Sequence, residues 1–139
     1  MIVVDTNVVS EPLKPEASAA VLDWLNRQAV KTLYLTTTSL AELLVGVEKL
    51  PDGRRKTVLA ESLKPLLTKV FGPRILPFDE AAAVAYAKLV SRVKAAGRTV
   101  SFADGQIAAI AMVQGFMVAT RDRGPYEAAG VKVIDPWES

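Results

Sequence analysis

The segment MIVVDTN, residues 1–7, joins a short apolar run to three polar residues. Ile2, Val3 and Val4 are all β-branched, and such an uninterrupted run is typical of a strand buried on both faces. The change of polarity predicts that the strand ends at Asp5. In sheets of parallel strands, ligands bind beyond the carboxyl ends of the strands. Asp5 is therefore the first candidate for a functional residue.

Outward from this segment, apolar runs alternate with stretches of helical periodicity. Further strands are predicted at 33–37, 75–76, 116–119 and 131–134, and helices at 17–28, 40–50, 54–70, 79–96 and 101–114. Strands that are separated by helices imply right-handed crossovers and helices on both faces of the sheet. We predict a single domain over residues 1–139, built as a three-layer α/β/α sandwich with a mainly parallel central sheet.

The composition excludes several kinds of chemistry. The 139 residues include no cysteine and no histidine, which removes disulfides, thiolate nucleophiles, the usual zinc ligands and the commonest neutral base. Asp and Glu oxygens remain, and they suit magnesium or manganese. There is no signal-peptide pattern and no apolar run approaching ~18 residues, so we expect a cytoplasmic protein without a membrane anchor.

Four acidic residues lie where strands end or helices start: Asp5, Glu42, Asp104 and Asp122. An Asp after a strand can simply stabilise a turn, and S-x-x-[DE] spacing at Ser39 and Ser101 allows Glu42 and Asp104 to be helix caps. If the four carboxylates meet instead, their repulsion calls for a cation. Such a site would suit hydrolysis of a phosphodiester by one or two metal ions.

Six segments carry a resemblance to a known family: MIVVDTNVVSE, SLAELLVGVEKL, FDEAAAVAYAKL, VSFADGQIAAIAM, VATRD and IDPW. In this order and spacing they resemble the PIN-domain family, and in particular the VapC-type toxins of bacterial toxin–antitoxin pairs. The resemblance implies an α/β/α PIN fold and an endoribonuclease that requires Mg²⁺ or Mn²⁺. It also implies a cognate antitoxin as partner, a homodimer, and products with a 5′-phosphate and a 3′-hydroxyl.

Carried over residue by residue, the family's four acids fall on the four candidates, and its supporting polar positions fall on Thr6, Asn7 and Thr120. Our hypothesis is that Asp5 and Asp104 bind the principal ion, while Glu42 orients or deprotonates the attacking water. Many relatives have Asn where this chain has Asp122. The role of Asp122 is left open between binding a second ion, acting through water and shaping the site.

Two other functions remain open from the sequence. A catalytically silent PIN-like module would bind RNA or protein without cleaving it. A magnesium-dependent phosphatase of the haloacid dehalogenase type would also place an Asp after its first strand. That chemistry uses a D-x-D pair, and Asn7 stands at the second position here.

Overall fold

A computed structural model describes residues 1–138 and contains a five-stranded sheet. The strand order is β3-β2-β1-β4-β5, and each neighbouring pair is parallel. The strands are β1 (Ile2–Val4), β2 (Leu33–Thr36), β3 (Ile75–Leu76), β4 (Met117–Ala119) and β5 (Val133–Ile134). The predicted parallel sheet is confirmed.

Helices cover both faces of this sheet. They are α1 (Thr6–Ser10), α2 (Ala19–Arg27), α3 (Thr37–Glu48), α4 (Arg54–Pro65), α5 (Glu80–Ala95), α6 (Phe102–Gln114) and α7 (Arg123–Ala128). Short 3₁₀ turns lie at Glu11–Leu13 and Val30–Thr32, and α4 continues into π-helical turns at Leu66–Phe71. Within residues 1–138, no helix is long and apolar enough to cross a membrane.

The alternation of side chains along β1 divides the core into two layers. Ile2 and Val4 pack with apolar side chains of α1, α2, α3 and α4. Val3 points to the other face and packs with α5, α6 and α7. Because β1 is the central strand, both of its faces are buried, which explains its uninterrupted apolar sequence. The predicted three-layer α/β/α arrangement is therefore confirmed.

The order of the strands reverses between β1 and β4. From β1 the chain adds β2 and β3 on one side, and it then adds β4 and β5 on the other. The backbone N–H of Asp5 donates to the carbonyl of Ala119 at 2.9 Å, so the ends of β1 and β4 lie side by side. A crevice at such a switch point is the usual binding site of an open parallel sheet.

The helix boundaries correct the sequence analysis in three places. Helices α1 and α7 have five and six residues and were not predicted, because such short segments show no measurable periodicity. A helix was predicted from Arg54 to Val70, with Pro65 as a position that could kink or divide it, and α4 indeed ends at Pro65 and continues as π-helical turns. Helix α3 starts at Thr37, three residues before the predicted start.

Candidate active site

Asp5 is held at the switch point by two short hydrogen bonds. Its Oδ1 accepts from the backbone N–H of Thr6 at 2.7 Å, and its Oδ2 accepts from the hydroxyl of Thr120, also at 2.7 Å. The first bond caps α1, so the strand-to-helix turn orients the carboxyl. Asp5 is only 4% exposed. A rigidly oriented, nearly buried carboxyl therefore lies where the sheet places ligands.

Burial raises the pKa of Asp5 to about 6, and the negative charge of Asp104 adds to the rise. Hydrogen bonds from Thr120, Thr6 and Tyr126 act in the opposite direction, because they stabilise the ionised form. At neutral pH the protein thus holds a carboxylate that is short of compensating charge. Groups with such perturbed pKa values are concentrated in functional sites, and a nearby cation would relieve the cost.

Asp104 faces the same crevice from the start of α6. Ser101 caps this helix, and its hydroxyl accepts from the backbone N–H of Asp104 at 3.1 Å. The Asp104 carboxyl accepts from the hydroxyl of Tyr126 at 3.4 Å. The predicted cap at Ser101 is confirmed. This cap uses only the backbone N–H of Asp104, so the carboxyl of Asp104 remains available to a ligand in the crevice.

Tyr126 is a site residue that was not among the predicted ones. It is fully buried in α7, and its hydroxyl interacts with both Asp5 and Asp104. Burial, together with these two negative charges, raises the pKa of Tyr126 far above its ordinary value. Its hydroxyl is therefore a permanent neutral donor between the two carboxyls. The signal in the sequence is that Tyr126 stands near the aromatic position of the last motif of the PIN-domain resemblance.

Glu42 is joined to the Asp5 region through Thr6. The Thr6 hydroxyl donates to Glu42 Oε1 at 2.7 Å and lies 2.9 Å from the hydroxyl of Ser39. The cap of α3 is Thr36, whose hydroxyl accepts from the backbone N–H of Ser39 at 3.0 Å. The possible capping box of Ser39 and Glu42 is therefore wrong. Glu42 lies in the second turn of α3, and its exposed carboxyl has no capping role.

Thr120 links the remaining predicted residues. Its Oγ1 accepts from the backbone N–H of Asp122 at 3.0 Å and from the side-chain amide of Asn7 at 3.4 Å. The Asn7 side chain in turn accepts from the backbone N–H of Arg121 at 3.4 Å. The backbone of Asp122 is thus tied to the site. Its side chain is exposed and makes no hydrogen bond that caps α7.

The donor set suits a divalent cation that keeps part of its water shell. Within residues 1–138, no three acidic side chains are spaced to hold a metal ion by themselves. Magnesium commonly uses one or two carboxylates and fills its other positions with water and substrate phosphate. Asp5 and Asp104, which interact electrostatically and share Tyr126, fit that mode of binding. Metal binding by the four acids stays a prediction.

The hydrogen bond between Thr120 and Asp5 gives a testable stability effect. Changing Thr120→Val keeps the shape but removes the hydroxyl, and with it the bonds from Asn7 and Asp122 as well as the bond to Asp5, so the part of the loss that depends on pH reports the bond to Asp5. We expect the free energy of unfolding at pH 8 to fall by about 1.5–3 kcal/mol, the usual contribution of a hydrogen bond to a charged group. The loss should be smaller at pH 4.5, where Asp5 is protonated. Urea denaturation monitored by circular dichroism measures both values.

Thr57→Val is the matched control, because within the described part of the chain the exposed Thr57 hydroxyl bonds only to a backbone carbonyl, that of Gly53 at 3.1 Å. Equal losses for the two variants at pH 8 would contradict a special role for the bond to Asp5.

Fold and site together define an α/β/α protein with an acidic crevice at the switch point of a parallel sheet. The chain belongs to the PIN domain family, whose match covers residues 2–131. It is 51% identical over 139 residues to the plasmid stability protein StbB of Pseudomonas syringae pv. tomato, with 100% of both chains covered. It is 46% identical over 138 residues to the VapC ribonuclease Y4jK of Sinorhizobium fredii, with 99% of each covered.

A third relative is the toxin FitB of Neisseria gonorrhoeae, which is 44% identical over 137 residues, with 99% of each chain covered. Among solved structures, FitAcB from Neisseria gonorrhoeae matches with a TM-score of 0.96 and 44% identity over 100% of both chains. VapBC-5 from Mycobacterium tuberculosis, a member of the VapBC family of toxin–antitoxin systems, matches with a TM-score of 0.67 and 27% identity over 95% of each chain. The relatives are thus similar along their whole lengths.

Proposed function

We propose that this chain is a metal-dependent endoribonuclease and the toxin of a toxin–antitoxin pair. The observation that carries the proposal is the buried carboxyl of Asp5, held beside Asp104 at the switch point of the sheet. A scaffold has no need of a carboxylate with so costly an environment. The names of two full-length relatives, a VapC ribonuclease and a toxin, support the same activity and role.

Each side chain then has a task in hydrolysis of the phosphodiester. Asp5 and Asp104 would hold the cation, with Thr120 and Tyr126 orienting them. When bound, a divalent cation lowers the pKa of water and offsets the charge that develops on phosphate oxygens. Glu42 would accept the proton of the attacking water, and its hydrogen bond from Thr6 orients it for that step.

Asp122 has a separate task in this proposal. Its exposed carboxyl, beside Thr120, would recruit a second cation or act through water. The phosphatase alternative receives no support, because the side chain of Asn7 is committed to Thr120 and Arg121. A second carboxylate of the D-x-D type is therefore missing at the place where that chemistry needs one.

For the partner, we propose an antitoxin segment that follows an apolar groove into the acidic crevice. The groove measures about 310 Å³ and lies between α1, α3 and α4. Leu43, Val47 and Leu59 give it an apolar lining, and Thr6 and Glu42 line it as well. A segment seated there would both bind tightly and block access to Glu42.

We further propose that the protein is a homodimer acting in the cytoplasm, where its RNA substrate is found.

Cleavage of total bacterial RNA by the purified protein tests the activity. With Mn²⁺ or Mg²⁺ we expect discrete cleavage products that carry a 5′-phosphate. EDTA should abolish cleavage, and added metal should restore it, because the proposed site works through a bound cation. Gel analysis and ligation of the product ends provide the measurement.

Asp5→Asn should be inactive, whereas Asp23→Asn should match the wild type, because Asp23 is an exposed residue of α2. Cleavage that persists in EDTA, or in folded Asp5→Asn protein, would sink the proposed mechanism. Protein that takes up no metal and cleaves no RNA would favour the silent module.

A further inference from the structure

Three aromatic rings form a ladder that reaches the surface beside Asp104. The rings of Phe78 and Tyr86 meet edge to face, with centroids 6.0 Å apart and an interplanar angle of 89°. Tyr86 then contacts Phe102 in a tilted arrangement, at 5.2 Å and 59°. Phe102 is the first residue of α6 and is 62% exposed. An exposed aromatic ring therefore lies two residues before a proposed catalytic acid.

The absence of a side chain at Gly105 makes this ladder possible. A Cβ built at that position would lie 2.6 Å from Cε2 of Tyr86, which is closer than real carbon atoms approach. The ring of Tyr86 thus packs directly on the backbone of α6 and supports Phe102 from below. Because Tyr86 already restricts the ring of Phe102, binding a ligand on that ring would cost little further conformational entropy.

Phe102 also lines a groove between α3 and α6. The groove measures about 540 Å³, and Glu42, Lys49 and Gln106 are among its other lining residues. Glu42 belongs to the acidic site, so the groove is continuous with the place where hydrolysis is proposed. Lys49 supplies a positive charge, which suits a phosphate group of a bound strand.

Gln106 gives one wall of the groove a polar character. Its side-chain oxygen accepts from the hydroxyl of Thr38 at 2.7 Å. The N–H groups of the amide can therefore donate to another acceptor. A purely apolar occupant would leave this amide without an acceptor, which is costly in a closed contact. A nucleobase offers both a flat face for Phe102 and acceptor atoms on its edge for Gln106.

We propose that this groove is a nucleobase subsite that positions single-stranded RNA next to the acidic crevice. One base stacks on Phe102, Gln106 donates to the edge of that base, and Lys49 contacts a neighbouring phosphate. The proposal rests on the proposed ribonuclease function and deepens it. Stacking on an aromatic ring tolerates any base, whereas the Gln106 donor favours bases with an acceptor on that edge.

Kinetics of Phe102 variants test the subsite. Phe102→Leu should raise the KM for a single-stranded oligoribonucleotide by roughly 10-fold with kcat nearly unchanged, which is the effect of losing one stacked base. Phe102→Trp should keep the KM of the wild type, because tryptophan also presents an aromatic face to the base. Val113→Ala removes another exposed apolar side chain of α6, and should leave both constants as in the wild type.

Binding supplies a readout that does not depend on cleavage. In an Asp104→Asn background, a mixed-sequence oligoribonucleotide carrying one 2-aminopurine should lose fluorescence on binding, since stacking quenches this base. The quenching should disappear with Phe102→Leu and return with Phe102→Trp. This result would support the subsite even if wild-type protein cleaved no RNA, an outcome that would count against the nuclease alone.

A second copy of the chain is the competing occupant of the groove. Sedimentation velocity of Phe102→Leu distinguishes a groove that binds a second copy from a groove that binds RNA. If the variant changes from dimer to monomer while RNA quenching and KM stay as in the wild type, Phe102 belongs to a contact between two copies and the proposal is overturned. If Phe102→Leu keeps the oligomeric state of the wild type and also quenches 2-aminopurine like the wild type, the proposal is overturned as well.

Discussion

Replacing Asp104 by Asn is expected to reduce RNA cleavage on the order of 10³-fold or more, the rate equivalent of losing about 4 kcal/mol of transition-state stabilisation by a bound cation. Asn keeps the size of the side chain but carries no negative charge. Of the two acids at the switch point, Asp104 is the more accessible, so it can meet both cation and substrate. Single-turnover cleavage of a labelled RNA with saturating Mn²⁺ measures the loss.

The fold should survive this change. The part of Asp104 that α6 needs is its backbone N–H, which donates to the hydroxyl of Ser101. Among residues 1–138, the carboxyl itself accepts only a long bond from Tyr126, at 3.4 Å, and Asn can accept the same bond. We therefore expect the free energy of unfolding to change by less than about 1 kcal/mol, as for most substitutions that leave no buried group unsatisfied.

Asp23→Asn makes the same chemical change at an exposed position of α2 and controls for the loss of a negative charge in general. It should cleave RNA like the wild type. Wild-type cleavage by a folded Asp104→Asn protein would remove Asp104 from the mechanism. A comparable loss in Asp23→Asn would mean that overall charge, and not the site, determines the rate.

Much of the fold follows from short-range patterns. The apolar run of β1 and the serine cap and terminal glycine of α6 mark their own boundaries, because burial and capping act on adjacent residues. The alternation of strands and helices then leaves few topologies other than a parallel sheet with covered faces. The position of Asp5 at a strand end was predictable for the same reason.

The contacts within the site were not predictable in this way, because they join residues far apart in sequence. The bond from Thr120 to Asp5 and the placement of Tyr126 between two carboxyls depend on how β4 and α7 pack against β1. The cap of α3 shows a different limit. Thr36 and Ser39 both suit a cap, and only the point where β2 ends selects Thr36.

Asp5→Asn is expected to make the metal-free protein more stable while it abolishes cleavage. The folded pKa of Asp5, about 6, lies above its ordinary value of 3.8, so the folded state binds more protons than the unfolded state between these values. Stability therefore falls as pH rises through that window and stays lower above it. This rise in the pKa of Asp5 lowers the free energy of unfolding at pH 8 by about 3 kcal/mol. Asn carries no charge, so Asp5→Asn should recover part of that stability.

Part of that gain is lost because Asn replaces one carboxylate oxygen with an amide nitrogen. The remaining oxygen can still accept from Thr6, but the new N–H group faces the Thr120 hydroxyl, which already accepts from Asn7 and from the backbone of Asp122. We expect a net gain of about 1–2 kcal/mol at pH 8, and little difference at pH 4, where Asp5 itself is neutral. Urea denaturation in EDTA at the two pH values gives both numbers.

Bound metal should make the wild type more stable than Asp5→Asn, the reverse of the order without metal. Mn²⁺ at 100 times its dissociation constant would stabilise a protein that binds it only when folded by about 2.7 kcal/mol. The wild type should gain this stability at pH 8, Asp5→Asn should not, and Asp23→Asn should behave like the wild type. If Asp5→Asn were less stable than the wild type in EDTA, the carboxyl would be a structural anchor. If Mn²⁺ stabilised both proteins equally, Asp5 would not be a ligand, and the cost of its burial would need another explanation.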